Sequence, residues 1–418
     1  MTNDPKQFAG FITITTFTKL LFSITRRLIY PFAPEFARGL NVDLSAITSI
    51  IAINQATSLL GPVGASFADK YGYRILMLFS LGLLTIGTFA VGLIPIYSVL
   101  VICLFLAGLA KSIFDPSLQA FIGNFVPFEK RGQIIGITEL SWAGSTLVGI
   151  PLAGIIIERF SWQMPFLIIG GLSLICFFVI LKVMPKDKKK TRPSERKALA
   201  ESKALAEGKA QTETRTRIMT NWKTIIKNRK VLGILSFVFF MSLANDNLFV
   251  IYGAWLEQSY NLSLAAIGFG TIFIGLSEIL GEGCTVFFSD RIGLKKSIII
   301  GGFLCTCAYF LLPVLNMGLA YVLAGLFLVF FTFEFTIVTA MSLSTELVPE
   351  LRASTMSAFF AIAGIGRVAG AFSGGIIWSQ FGLLPICLIS GFCTFVAIIS
   401  ILVGFYENKS DTITNLIR

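Results

Sequence analysis

Lys19, Arg26, Arg27, Lys111, Asp115, Glu139, Asp246, Glu278, Glu334 and Arg367 each stand inside a stretch of the chain that is otherwise apolar, with Glu282 near the end of one such stretch. At the depth of a bilayer a charge of this kind costs about 2.5–3.5 kcal/mol, so each needs a partner, a water-filled passage or a task. Lys19 and Arg26 are seven residues apart, about 340° on a helical wheel, and therefore share a stripe that should avoid lipid. Lys111 and Asp115 are four apart and can pair on one helical face, as a structural couple or as a working one. Moving a proton requires a group that gains and loses it in the working pH range, which a buried acid does and an arginine does not. Glu139 is the first candidate because no basic residue lies three or four positions away, and Asp115 the second because Lys111 can hold it. Asp246, in SLANDNLF, and Glu334, in FFTFEFTI, are the corresponding acids of the second half; each of these acids can instead be a buried structural partner.

Other chemistries are excluded by what the chain lacks. It has no histidine, no G-x-S-x-G elbow, no G-x-x-x-x-G-K-[ST] phosphate loop and no metal-ligand cluster, so no metal or cofactor is expected. An intramembrane enzyme or a sensor that moves nothing are the alternatives from other classes, and neither has a catalytic set or an output domain to support it. The seven cysteines (Cys103, Cys176, Cys284, Cys305, Cys307, Cys387, Cys393) all fall in apolar runs, where they read as small hydrophobes.

The elements that position these charges must be membrane helices. Apolar residues make up 55% of the 418 positions and charged ones 14%, too few to cover a water-facing surface. Apolar runs of about 20 residues, each long enough to cross ~30 Å of hydrocarbon, recur along the chain. Twelve spans are expected, centred roughly at residues 22, 57, 85, 110, 145, 174, 242, 275, 306, 331, 365 and 395, which predicts an all-α membrane protein. The first run lacks a cleavage site of small residues and reads as a retained helix.

Between the sixth and seventh spans lies a polar stretch, Lys186 to Lys230, with fifteen Lys/Arg against five acids; its +10 is nearly all of the chain's +11. Confined to a linker without interleaved aromatics, that charge does not point to nucleic acid, and lipid headgroups are the expected neighbours. The hexads KALAES at 197 and KALAEG at 203 put Leu199 and Leu205 about 120° apart, which suits a solvated helix or disorder better than a packed domain. The expected organisation is a first bundle over 1–185, a linker over 186–230 and a second bundle over 231–418. Lys70, Arg74, Lys130, Arg131, Arg291, Lys295, Lys296 and Arg352 fall in loops on one side, against Arg38 and Arg159 on the other, which places both termini and the linker in the cytoplasm.

The halves also resemble each other. NVDLSAI at 41 matches NLSLAAI at 261, DKYG at 69 matches DRIG at 290, and EKR at 129 matches ELR at 350, with offsets of 220 or 221 residues. An apolar background repeats Leu and Ile readily, but it does not place Asp, Gly and Arg in register, so two parallel six-helix repeats are expected.

GASFADKYGYR at 64 resembles the loop motif of the major facilitator superfamily, G-x-x-x-(D/E)-(R/K)-x-G-x-(R/K), with a lead one residue longer: Gly64, Asp69, Lys70, Gly72 and Arg74. SDRIGLKK at 289 is a degraded copy that keeps Asp290, Arg291, Gly293 and Lys295. The resemblance covers nearly the whole chain outside the linker. It implies two pseudo-symmetric six-helix bundles and a loop that latches them on the cytoplasmic side.

RRLIYPFAPEF, with Pro31 and Pro34, is similar to the Pro-rich first helix of drug/proton antiporter branches. Gly149, Pro151 and Gly154 in GIPLAG partly match the G-P-x-x-G-G antiporter motif, with Ile150 and Ile155 at two of its glycines. A glycine ladder at Gly366, Gly370 and Gly374 leaves one face of the eleventh span bare, so that another helix can approach and the face can slide or rock. The helix-four arginine of the family is replaced by Leu104.

Taken together the resemblance implies a secondary transporter of the cell membrane, a monomer among lipids, working by alternating access. It implies proton-coupled export of a small amphipathic or hydrophobic compound, with uptake of a sugar, organic acid or other metabolite as the alternative. The membrane-depth charges, Arg26, Arg27, Lys111, Asp115, Glu139, Asp246, Glu278, Glu334 and Arg367, would then line the passage for substrate and proton.

Overall fold

The computed structural model describes residues 5–60, 72–126, 128–184, 227–348 and 351–406. Among these the chain is helical throughout: α1 (Pro5–Arg27), α2 (Ala33–Leu40), α3 (Leu44–Ala56), α4 (Tyr73–Leu93), α5 (Tyr97–Phe125), α6 (Phe128–Gly144), α7 (Ile150–Arg159) and α8 (Met164–Val183) in the first half. The second half holds α9 (Arg229–Phe249), α10 (Tyr252–Tyr260), α11 (Leu264–Ile292), α12 (Leu294–Leu311), α13 (Leu319–Leu347), α14 (Arg352–Phe381) and α15 (Leu383–Gly404). Helices suit these runs because hydrocarbon offers no partner to a free N–H or C=O, and a helix satisfies both within one segment.

Ten helices, α6 and α7 joined and α9 and α10 joined among them, are long and apolar enough to cross a membrane. Two more segments stand where the first and second expected spans fall. α1 has the length, 23 residues, but carries Lys6, Lys19, Arg26 and Arg27. α3 runs on through a 3-10 turn, Thr57–Leu60, to the edge of the described residues.

The first span is broken where Pro31 and Pro34 stand: α1 stops at Arg27, a run of turns follows, and Pro34 opens α2. Between α2 and α3 the chain bends by 115°, so α2 ends the first span and α3 begins the second. The seventh span breaks at the corresponding place, between α9 and α10, without a proline. There the bare backbone of Gly253 lies against the Pro31 carbonyl of the other half; a Cβ would sit 2.0 Å from that oxygen. The halves thus touch backbone to backbone next to this break.

The repeat seen in the sequence recurs atom by atom. Asn41 and Asn261, 220 apart, both take the left-handed conformation that ends α2 and α10. Gly72 (φ 93°) and Gly293 (φ 94°), 221 apart, both open the third helix of their half in a backbone region that side chains disfavour. A Thr85–Ser173 hydroxyl bond of 2.8 Å ties α4 to α8, and Thr306–Thr394, 2.9 Å, ties α12 to α15 at the same offset. Gly170 packs on the Phe89 ring and Gly391 on the Phe310 ring in the same register.

The halves meet tightly at the end that carries α2 and α10. One buried apolar cluster, with Phe32, Phe36, Tyr252 and Trp255, is continuous across both. At the opposite end the first half keeps a cluster of its own around Phe11, Phe22, Met77 and Phe121. The two bundles therefore splay from a closed end toward the end where α1 starts.

Candidate functional site

Splayed bundles enclose a cavity of 870 Å³, lined by both halves. Its floor is a polar network built on the broken first span. Arg26 Nε donates to Asn54 Oδ1 at 3.1 Å, and its Nη2 donates to Gln55 Oε1. Gln55 Nε2 in turn donates to the Tyr30 hydroxyl and, at 3.4 Å, to Asp246 Oδ1 of the second half, while Tyr30 reaches the same oxygen at 3.5 Å. Arg367 Nε stands 3.9 Å from Asp246 Oδ2. Gln55 is thus the joint through which the first half holds the buried carboxylate of the second.

Beside this floor Arg27 crosses between halves. Both of its terminal nitrogens donate to Glu278, Nη1 at 3.2 Å, and Nη1 also donates to the Thr146 hydroxyl. Its guanidinium lies 3.9 Å over the Trp142 ring, a cation–π contact that further repays the removal of the charge from water. Thr146 is available because the helix widens into a π-turn, Ser145–Gly149, ahead of Pro151, whose missing N–H breaks the regular ladder.

The reason for ranking Glu139 first does not survive in three dimensions. Its own helix offers no base, but Lys19 of α1 donates to Glu139 Oε1 at 2.5 Å. Glu334 and Glu282, also in the lining, make no hydrogen bond or ion pair among the described residues. Lys111 and Asp115 do pair, at 2.8 Å, yet neither lines the cavity; they lie in the interior of the first half. Of the nine charges expected in the passage, the other seven line it. Asn54, Gln55 and Tyr30 were missed: an adjacent Asn-Gln pair within the apolar IAINQATS was the available signal, because buried amides must find partners.

The small-residue seams divide by role. Gly154 faces the Leu264 carbonyl, and Gly268 faces the Ile150 carbonyl and Pro151, so the GIPLAG segment is a seam between halves. Gly149 packs on Ile24 in its own half. The ladder Gly366, Gly370 and Gly374 meets carbonyls of Phe239, Leu243 and Asn247, all in α9 of the same half, while Gly364 and Gly375 of α14 face Ser58 and Thr48 across the divide. The face of α14 that packs against the other half is therefore not the ladder. The closed end is also clasped by ions: Arg38 Nη1 reaches Glu257 of the other half at 2.7 Å, and Glu158 accepts the Ala265 N–H at 2.7 Å, at the positive end of α11.

Gly64, Asp69 and Lys70 of the loop motif lie outside the described residues, as does the Asp290 side chain, and most of the 186–230 linker falls there too. Of the rest, Arg74 Nη2 donates to the Leu181 carbonyl and Lys295 Nζ to the Phe405 carbonyl at 3.4 Å. Each ties the start of its half's third helix to the end of its sixth. Leu104, at the place of the family arginine, is buried and its carbonyl accepts from Asn54 at 2.6 Å.

Comparison with known proteins agrees with this architecture. The family model described as Major Facilitator Superfamily matches residues 15–244 and again 234–415. The chain is 26% identical over 391 residues to the uncharacterized MFS-type transporter YceJ of Bacillus subtilis, covering 92% of each. It is 23% identical over 394 residues to the multi-drug resistance efflux pump PmrA of Streptococcus pneumoniae, covering 91% of this chain and 92% of that one. Among solved structures it shares the fold of a peptide transporter POT bound to sulfate, with a TM-score of 0.72 at 13% identity, over 94% of this chain and 93% of that one. A bacterial homolog of the human lysosomal transporter Spinster, inward-facing and occupied, gives 0.70 at 13% over 96% of both. With the family model matched in both halves and helices of membrane-spanning length around a charged cavity, this multi-pass membrane transporter belongs to the major facilitator superfamily.

Proposed function

We propose that the protein exports a small amphipathic or hydrophobic compound across the cell membrane in exchange for protons, by alternating access. The single observation that carries this reading is Glu334, an acid at mid-span in the cavity with no cation or hydrogen-bond donor of its own among the described residues. An acid so placed is free to take up and release a proton as water enters and leaves, and it replaces Glu139 as the first candidate. Trp142, Phe249, Phe330, Phe333 and Phe360 in the lining suit an apolar body.

The excess of Lys and Arg in the loops at the open end supports a cytoplasmic placement of that end and of both termini. In that orientation the conformation described is open to the cell interior and clasped outside by Arg38, Glu257 and Glu158. Export is favoured by the relative named as a multi-drug resistance efflux pump, PmrA, and a drug-like cargo also by the quinolone resistance protein NorA of Staphylococcus aureus, 22% identical over 183 residues, which is 43% of this chain and 46% of that protein.

The test is a panel of amphipathic compounds in proteoliposomes with an imposed pH gradient. Gradient-driven movement that collapses with an ionophore is expected, and Glu334→Gln should abolish it while Glu139→Gln slows it. Unchanged gradient-driven transport by Glu334→Gln would refute the role of that acid. Transport indifferent to the gradient would refute proton coupling.

A further inference from the structure

Three carboxylates of the cavity are answered in place: Glu139 by Lys19, Glu278 by Arg27 and Asp246 by Arg367. What remains is unequal on the two walls. The first half is left with Arg26, whose partners are two neutral amide oxygens. The second half is left with Glu282 and Glu334, which have no partner among the described residues. One wall thus offers a positive charge and the facing wall offers negative charge, in a space of 870 Å³. Arg26 and Glu334 line this same cavity, so one small molecule can meet both.

A ligand that is only cationic leaves Arg26 facing neutral oxygens alone. One that is only anionic must lie against two carboxylates, and like charges at short range repel. A molecule with an acid group at one place and an ammonium at another answers both walls by charge-assisted hydrogen bonds, which are about twice as strong as neutral ones. We infer that the transported compound is a zwitterionic amphipath, its anionic group on Arg26, its ammonium on Glu334 and its apolar body against Phe249, Phe330 and Phe333. This rests on the cavity being the substrate site, as proposed above, but not on the direction of transport or on its coupling to protons.

The test therefore measures binding without a gradient. Three probes on one scaffold separate the charges: naphthylalanine as zwitterion, its methyl ester as cation, its N-acetyl derivative as anion, each titrated calorimetrically into the purified full-length chain. The zwitterion is expected to bind at least tenfold more tightly than either derivative. Arg26→Gln should erase its advantage over the ester, Glu334→Gln its advantage over the N-acetyl form, and Arg26→Lys should restore the preference. An ester that binds as well as the zwitterion, a ranking unmoved by both substitutions, or no binding of any of the three to the unaltered chain would overturn the inference. Failure of gradient-driven transport alongside the expected ranking would instead strike only the proton-coupled reading.

Discussion

Gly253→Ala should open the closed end of the transporter. A Cβ at this position would lie 2.0 Å from the Pro31 carbonyl oxygen and 2.6 Å from its carbon. Both are backbone atoms in the turn between α1 and α2, so no rotamer relieves the clash. Contacts of a Cβ below 3.0 Å do not occur in practice, so the two segments must part by about 1 Å. Overpacking of this kind costs about 1–3 kcal/mol, and because the contact joins the halves the cost falls on this conformation alone, a shift of roughly 5- to 150-fold toward the alternative. Spin labels at Arg159→Cys and Gln258→Cys, on opposite halves at that end, report the separation once Cys284 and Cys307, the two cysteines that are not buried, are replaced by serine. The longer distance should gain population in Gly253→Ala and not in Gly283→Ala, whose Cβ would meet nothing within 4 Å. An unchanged distance distribution in Gly253→Ala would refute the argument that this contact holds the closed end.

Glu278→Leu leaves Arg27 buried with only Thr146, Trp142 and Phe249 and should lower stability to unfolding by about 3–5 kcal/mol, whereas pairing it with Arg27→Met should recover most of it; a double-mutant cycle read by thermal unfolding in detergent checks both. Glu139→Leu should lower the yield of folded protein by stranding the buried Lys19, and adding Lys19→Met should restore it, as read by size-exclusion profiles. Thr85→Val and Thr306→Val should each cost ~0.6 kcal/mol, the usual worth of a hydrogen bond between membrane helices. Equal losses in unfolding assays are expected because the two bonds occupy the same place in the repeat.

The order of elements was legible in the sequence because the physics behind it is local. Length and apolarity define a span, and the offset of 220 or 221 that links DKYG to DRIG is the offset that links Asn41 to Asn261 and Thr85 to Thr306 in space. The same holds for Lys111 and Asp115, four apart on one helix, whose pairing helical geometry alone foretells.

Pairs across helices were beyond that reach. Lys19 and Glu139 are 120 residues apart and Arg27 and Glu278 are 251 apart; whether they meet depends on the rotation of each helix about its axis and on which bundle it joins. Those angles follow from small residues along the whole seam, such as Gly154 against Leu264 and Gly253 against Pro31, and from the summed fit of side chains that no single motif encodes. For the same reason Glu139 read as a lone acid and Glu334 as one of several, while in the folded protein the first has a lysine and the second has open cavity. Composition and periodicity determine that charges lie at membrane depth; only the packing of helices decides which of them remain unanswered, because pairing is a matter of a few ångströms between segments that the chain itself holds far apart.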